Sequence, residues 1–241
     1  MYEHLSCIAL RTVKYDDRHN IVTVWTAQHG RVGLIVAAGS TREAARRRAL
    51  MMPLGTFEGE VDIRPGRELY NIKDVRPLGV HTSIASSPGK AVVALFLAEV
   101  LDRILREASP DESMTEFIFK SIDILESAGA RGTANFPLVF LSRLSAFLGI
   151  EPDASEWKRG RIFDMADGIY RMTAPTTGKW LTPAEAKVGA TVQRLTFAGA
   201  ERMNIPRWLR REILDRIIEY YTHHLVSLEN IKSLSILREL S

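Results

Sequence analysis

The fold turns on Ile8 to Ser40, IALRTVKYDDRHNIVTVWTAQHGRVGLIVAAGS. Three short strands are legible in it. The first, Leu5 to Tyr15, alternates in part, with Arg11 and Lys14 interrupting apolar Ile8, Leu10 and Val13. The second, Asn20 to Gln28, is rich in β-branched and aromatic residues, and the third, Arg31 to Ala38, is almost wholly apolar. Asp16-Asp17 and His29-Gly30 stand where hairpin turns belong. Strands this short, with turns this close, favour a closed β domain over a βαβ unit.

Outward from that stretch, Thr41 to Met52 reads as an arginine-rich helix stopped by Pro53. A second hairpin follows, Gly55 to Ile63 and Arg67 to Arg76, turning at Arg64-Pro65-Gly66. Five strands with a helix between the third and fourth is the pattern of an OB-fold barrel. From Pro77 to Pro88 the pattern breaks, and beyond it the apolar period lengthens to that of helices. Ser87-Pro88 opens one helix, reaching Arg106, and Ser109-Pro-Asp-Glu112 reads as the capping box of the next, ending near Gly129. A third runs from about Ala134 to Leu148. Arg161 to Met165 and Ile169 to Met172 read as a small hairpin turning at Asp167-Gly168. Thr182 to Glu185 is a further capping box, with a helix to about Phe197. The last long helix starts at Pro206, with Glu212 and Arg216 as an i,i+4 pair, and a short helix from Ile231 to Leu240 follows. The expected class is α+β: a five-stranded OB-fold barrel over 1–80, then a mainly helical domain over 81–241 with a hairpin insertion at about 157–172.

The order of blocks resembles the RecO family of bacterial recombination mediators and DNA repair proteins. The likeness rests on ALRTVKY, IVTVWT and HGRVGLIVAAG, followed by a basic segment and a hairpin, and on YYTHHLVSLENIKSLSIL near the C-terminus. It covers nearly the whole chain. It implies a protein that binds single- and double-stranded DNA and anneals complementary strands. It also implies that, with RecR, the protein helps load RecA onto DNA coated with single-stranded DNA-binding protein.

Charge adds to this. The chain's net charge is +3, and residues 1–80 hold 12 Lys and Arg against 9 Asp and Glu, so the excess belongs to the barrel. A local positive field attracts polyanions. Arg42, Arg46, Arg47 and Arg48 can each grip a phosphate through a planar fork of donors, although a solvated helix face has the same composition. Four or five such contacts would give a log-log salt slope of about −3 to −3.5 on single strands. Arg11, Lys14, Arg18 and Arg31 are groove cations, with His29 beside them. Tyr15 and Trp25 are candidate stacking platforms, although a tryptophan between β-branched residues, as Trp25 is, is more often core. In the helical domain, the resemblance implies a notch for the acidic, phenylalanine-containing tail of single-stranded DNA-binding protein. Arg131 and Arg143 with Phe136, Phe140 and Phe147 could build it.

Other chemistries find little support. The single cysteine, Cys7, permits no internal disulfide and no thiolate metal cage. Many members of the family carry a cysteine zinc finger between the third helix and the last ones, but Glu156 to Trp180 holds no cysteine. No metal and no cofactor are expected, and the hairpin there would be held by Trp157, Phe163, Met165, Ile169 and Tyr170. Gly89-Lys90 and Gly178-Lys179 lack the glycine and Ser/Thr of a P-loop. No nucleophile elbow or catalytic pairing of carboxylates is visible, so a non-enzyme is expected. The N-terminus does not read as a signal peptide and no run reaches membrane length, which with the lone cysteine suggests a cytoplasmic, nucleoid-associated protein. The alternative is a generic OB-fold module for RNA or for protein partners.

Overall fold

The structure, a computed structural model, describes residues 2–64, 66–228 and 230–240. It forms two compact units, Met1–Ser127 and Ala128–Ser241.

The first unit is built on a closed barrel with strand order β1-β2-β3-β5-β4. Its strands are β1 (Tyr2–Lys14), β2 (His19–Thr26), β3 (Gly30–Ala37), β4 (Thr56–Asp62) and β5 (Leu69–Pro77). All pairings are antiparallel except β3 with β5. Helix α1 (Arg42–Leu50) fills the slot between β3 and β4. This is the OB-fold arrangement. Strand β1 serves both β2 and β4, and its register shifts between Ala9 and Arg11, a bulge that lets one long strand curl around the closure. Gly30 closes the β2–β3 turn at φ +62°, where a side chain would be strained and its Cβ would press on the Trp25 ring at 3.3 Å. Pro65, at the tip of the expected second hairpin turn, lies outside the described residues.

Alternation along the strands decides what faces where. Cys7, Ala9, Val22, Val24, Val32, Leu34, Phe57 and Val61 make the barrel interior, with Met51 of the α1 C-terminus packed against them. Ile8, Leu10 and Trp25 fall on the outer face yet are equally buried. Their cover comes from α3 (Pro88–Ile104), which packs on β1, and α4 (Glu112–Ser127), which supplies a hydrogen-bond acceptor to Trp25. A short α2 (Thr82–Ser86), in the stretch read from sequence as a break, precedes them. Pro88 sits at the first turn of α3 as expected, but the α4 cap is not Ser109. Asp111 accepts the Met114 N–H at 2.7 Å, because a carboxylate one residue before the helix reaches the third amide.

The second unit holds α5 (Ala130–Phe147), α6 (Pro183–Gln193), α7 (Phe197–Arg202), α8 (Arg207–His224) and α9 (Lys232–Leu240). The Thr182–Glu185 capping box is present, with the Thr182 N–H donating to Glu185 at 2.8 Å. The expected Glu212–Arg216 pair is not. Arg216 donates instead to Glu185 at 3.0 Å and Glu219 at 3.1 Å, since tertiary packing offers it two better-placed carboxylates. The expected hairpin becomes three strands, β6 (Ile162–Asp164), β7 (Ile169–Arg171) and β8 (Trp180–Leu181), ordered β7-β6-β8. Phe163, Met165, Tyr170 and Leu181 pack with Tyr220, and Trp157 flanks them. Ile169, expected among them, faces out at 41% exposure.

Candidate nucleic-acid interface

Helix α1 begins at Thr41, whose hydroxyl accepts the Ala44 N–H at 3.1 Å, and it presents its arginines at one end of the barrel. Arg42 and Arg46 are exposed and, among the described residues, meet no carboxylate. Arg47 is spent on Glu43 at 2.8 Å, and Arg48 donates to the Gly39 carbonyl, which leaves its charge unneutralised. Backbone bonds bring the β1–β2 turn to the same end. The Ala38 N–H donates to the Arg18 carbonyl at 2.6 Å, and the Thr12 hydroxyl donates to the Met51 carbonyl at 3.1 Å. Lys14, Tyr15 and Arg18 therefore share an end with Arg42 and Arg46.

Within that turn, Asp16 accepts the Arg18 and His19 N–H groups at 2.6 and 2.7 Å. The His19 ring and the Arg18 amide hold its carboxyl below the usual range, so it stays ionised and keeps the turn shaped. Lys14 bonds Asp17 at 2.8 Å, but both side chains are mostly solvated, so the pair is weak and the lysine is easily diverted to a phosphate. Tyr15, 60% exposed, offers a free ring. Met52, 59% exposed at the foot of α1, adds an apolar surface at this end, and nothing in its sequence context signalled it.

Two of the expected contacts are corrected by the structure. Trp25 is wholly buried, and its indole N–H donates to the Thr115 hydroxyl at 2.8 Å, so no base can stack on it. Arg31 grips Asp102 of α3 through two bonds of 3.1 and 2.8 Å and serves to pin that helix. Arg11 lies between the two cases. Its Nε is 3.5 Å from the same carboxylate, and the side chain stays half exposed. Two guanidiniums on one carboxylate leave one positive charge in excess. His29 is 2.8 Å from Glu3, an ion pair when protonated.

The expected notch in the second unit is also corrected. Phe136 and Phe140 are 2% and 1% exposed and stack on each other, Phe136 also on Phe197, because they lie on the inward face of α5. Arg143 donates to the Leu195 carbonyl at 3.3 Å, and Arg131 is exposed. An open apolar cavity of this unit lies elsewhere, with a volume of about 390 Å³ and a lining that includes Leu141, Val188, Trp208, Ile213 and Tyr220. Among the described residues, no cluster of His, Cys, Asp or Glu is arranged to hold a metal ion, and no helix is long and apolar enough to cross a membrane.

Residues 1–81 match the family described as Recombination protein O N terminal, and residues 85–234 match Recombination protein O C terminal. This chain belongs to the RecO family. The DNA repair protein RecO of Phocaeicola vulgatus is 34% identical over 233 residues, covering 97% of this chain and 96% of that one. The DNA repair protein RecO of Bacteroides fragilis is 34% identical, with 97% and 96% coverage, and that of Porphyromonas gingivalis 33%, again with 97% and 96%. Membership gives the chain a place in DNA repair and recombination.

Proposed function

We propose that this protein is a non-enzymatic recombination mediator. Its barrel binds single- and double-stranded DNA, and the protein anneals complementary strands. With RecR it helps load RecA onto DNA coated with single-stranded DNA-binding protein. The observation that carries the reading is the cationic end of the barrel, where Arg42 and Arg46 stand unpaired beside Arg18, Lys14 and the exposed Tyr15 ring. Annealing needs no fuel in this scheme. Cations lower the repulsion between two strands, and base pairing supplies the free energy.

Residues 1–80 are the nucleic-acid domain in this proposal and 81–241 the partner-binding one. The acidic tail of single-stranded DNA-binding protein would seat its phenylalanine in the 390 Å³ cavity, whose size falls within the roughly 300–1,000 Å³ of ligand pockets. The charged side chains in its lining are Glu185, Glu212 and Arg216, with Arg216 bonded to Glu185, and Arg207 and Arg211 flank the lining residue Trp208 along α8 as further cations, with Arg210 on the same helix. Arg207, Arg210 and Arg211 are bonded to carbonyls where bonded at all, so their charge is not neutralised.

The test is a salt titration of affinity for single-stranded DNA, single-stranded RNA and duplex DNA of equal length. A steep salt response on DNA with tighter binding than on RNA supports the mediator. A flat response, or RNA preferred, returns the chain to a generic OB module. Cleavage of labelled DNA in magnesium would remove the non-enzymatic reading.

A further inference from the structure

The segment Trp157 to Leu181 carries five Lys and Arg against two Asp, an excess equal to the net +3 of the entire chain. The rest of residues 81–241 is correspondingly net negative. This charge is concentrated on a small sheet.

The register shows which side chains share a face. Phe163 pairs with Tyr170 and Leu181, and this row is buried. Asp164 pairs with Ile169 on one side and Trp180 on the other, so these three belong to the opposite face. Ile169 and Trp180 are each 41% exposed there. With strands about 4.8 Å apart, Ile169 and Trp180 stand about 10 Å from each other. Two exposed side chains at that spacing, one aromatic and one apolar, can each pack against an unstacked base.

The charges around these two side chains are set for a polyanion. Asp164, between the two exposed side chains, is buried. Its oxygens accept from the Ala166 N–H at 3.0 Å and lie 3.3 Å from the Arg171 Nε, so it presents no bare negative charge. Arg161 is held by Glu156, and Lys179 by Glu219. Lys158 and Arg159 are exposed in the turn before β6 and, among the described residues, meet no carboxylate. That turn leads into Ile162, which lies on the same face two residues along β6 from the row of Ile169 and Trp180.

We propose that this sheet face is a second site for single-stranded nucleic acid, with Trp180 and Ile169 under the bases and Lys158 and Arg159 on the phosphates. It rests on the mediator reading and deepens it. Annealing brings two strands together, and in this scheme the sheet face holds the second while the barrel holds the first.

The experiment uses the full chain and two non-complementary oligothymidine and oligocytidine strands, one carrying a donor dye and one an acceptor. Energy transfer between them reports simultaneous binding, and a complementary pair reports annealing rate. Lys158→Glu with Arg159→Glu, and separately Trp180→Ala, should abolish the transfer and slow annealing at least tenfold. Affinity for a first strand should stay within twofold, the melting temperature of the Lys158/Arg159 variant should not change, and Trp180→Ala should remain folded with a modestly lower one. Transfer and annealing unchanged in both variants overturn the inference while leaving the mediator reading intact. So does a result in which both strands stay bound but a polyglutamate peptide that binds the wild type is lost, which would make the face a protein contact. Failure of the wild type to bind any strand overturns both readings.

Discussion

Replacing Arg42 and Arg46 together by alanine isolates the electrostatic term at the barrel end. Each phosphate neutralised on a single strand contributes about 0.7 to the log-log salt slope. Removing two contacts should therefore flatten the slope by about 1.4. Measured from a 1 M reference, the same rule gives about a 25-fold loss of affinity at 0.1 M salt, about 1.9 kcal/mol, shrinking to about fivefold at 0.3 M. Stability should barely move, because both side chains are solvated and alanine favours the helix. Arg47→Ala is the internal control. Its charge is committed to Glu43, so its loss should change the slope by much less than 0.7. Fluorescence anisotropy with a labelled oligothymidine across the salt range gives both numbers. A double variant whose slope equals that of the wild type would show that Arg42 and Arg46 touch no phosphate, whatever its affinity at one salt concentration.

Three further outcomes follow from the geometry. Trp25→Phe should cost about 1–3 kcal/mol in denaturant unfolding by leaving Thr115 without its donor, while DNA affinity stays within twofold; a large loss of affinity in a folded variant would put the indole back in the binding surface. Asp102→Asn should cost roughly 3 kcal/mol, since two guanidiniums lose their shared carboxylate, and a variant as stable as the wild type would show the cluster is not what holds α3 to the barrel. Burial pushes the Cys7 thiol up to about 12, so the native protein should resist thiol reagents at pH 8. The unfolded thiol releases its proton first as pH rises, so Cys7 lowers stability between about pH 9 and 12; alkylation of the native protein as fast as of the unfolded chain would contradict its burial.

Much of this was legible in the residues, and the failures share one cause. Strand period, the turn at His29-Gly30, the Thr182–Glu185 box and the α1 slot are local signals, and each appears in the structure close to where the pattern puts it. What local pattern does not contain is which outward face a later segment will cover. Arg31 and Phe136 are candidate contacts by sequence and Trp25 is more readily core, and all three meet partners from distant parts of the chain: Asp102, Phe197 and Thr115. Strand β8 was missed for a related reason. Its two residues carry no period and exist as a strand only through their pairing with Phe163 and Asp164. The family likeness had no better access to these contacts, because it rested on blocks of sequence and not on their packing.

The covered face has a consequence for how DNA can approach. An OB barrel offers its β2–β3 face as the usual platform for single strands. Here part of the outer surface of β1 and β2 is taken by the protein's own α3 and α4, with Trp25 hydrogen-bonded to Thr115 and Arg31 holding Asp102. Opening that surface would mean exposing a buried tryptophan and breaking a carboxylate shared by two arginines, several kcal/mol that a few phosphate contacts would have to supply. A strand therefore gains most by keeping to the opposite end, where Lys14, Tyr15, Arg18, Arg42 and Arg46 are already solvated. Arg11 marks the border, with one edge on Asp102 and the rest in water. Arg11→Ala should cost single-strand affinity about one contact, a slope change near 0.7, while Arg31→Ala should cost stability and leave the slope alone. A slope that responds to Arg31 and not to Arg11 would mean that the helices do leave the barrel when DNA binds.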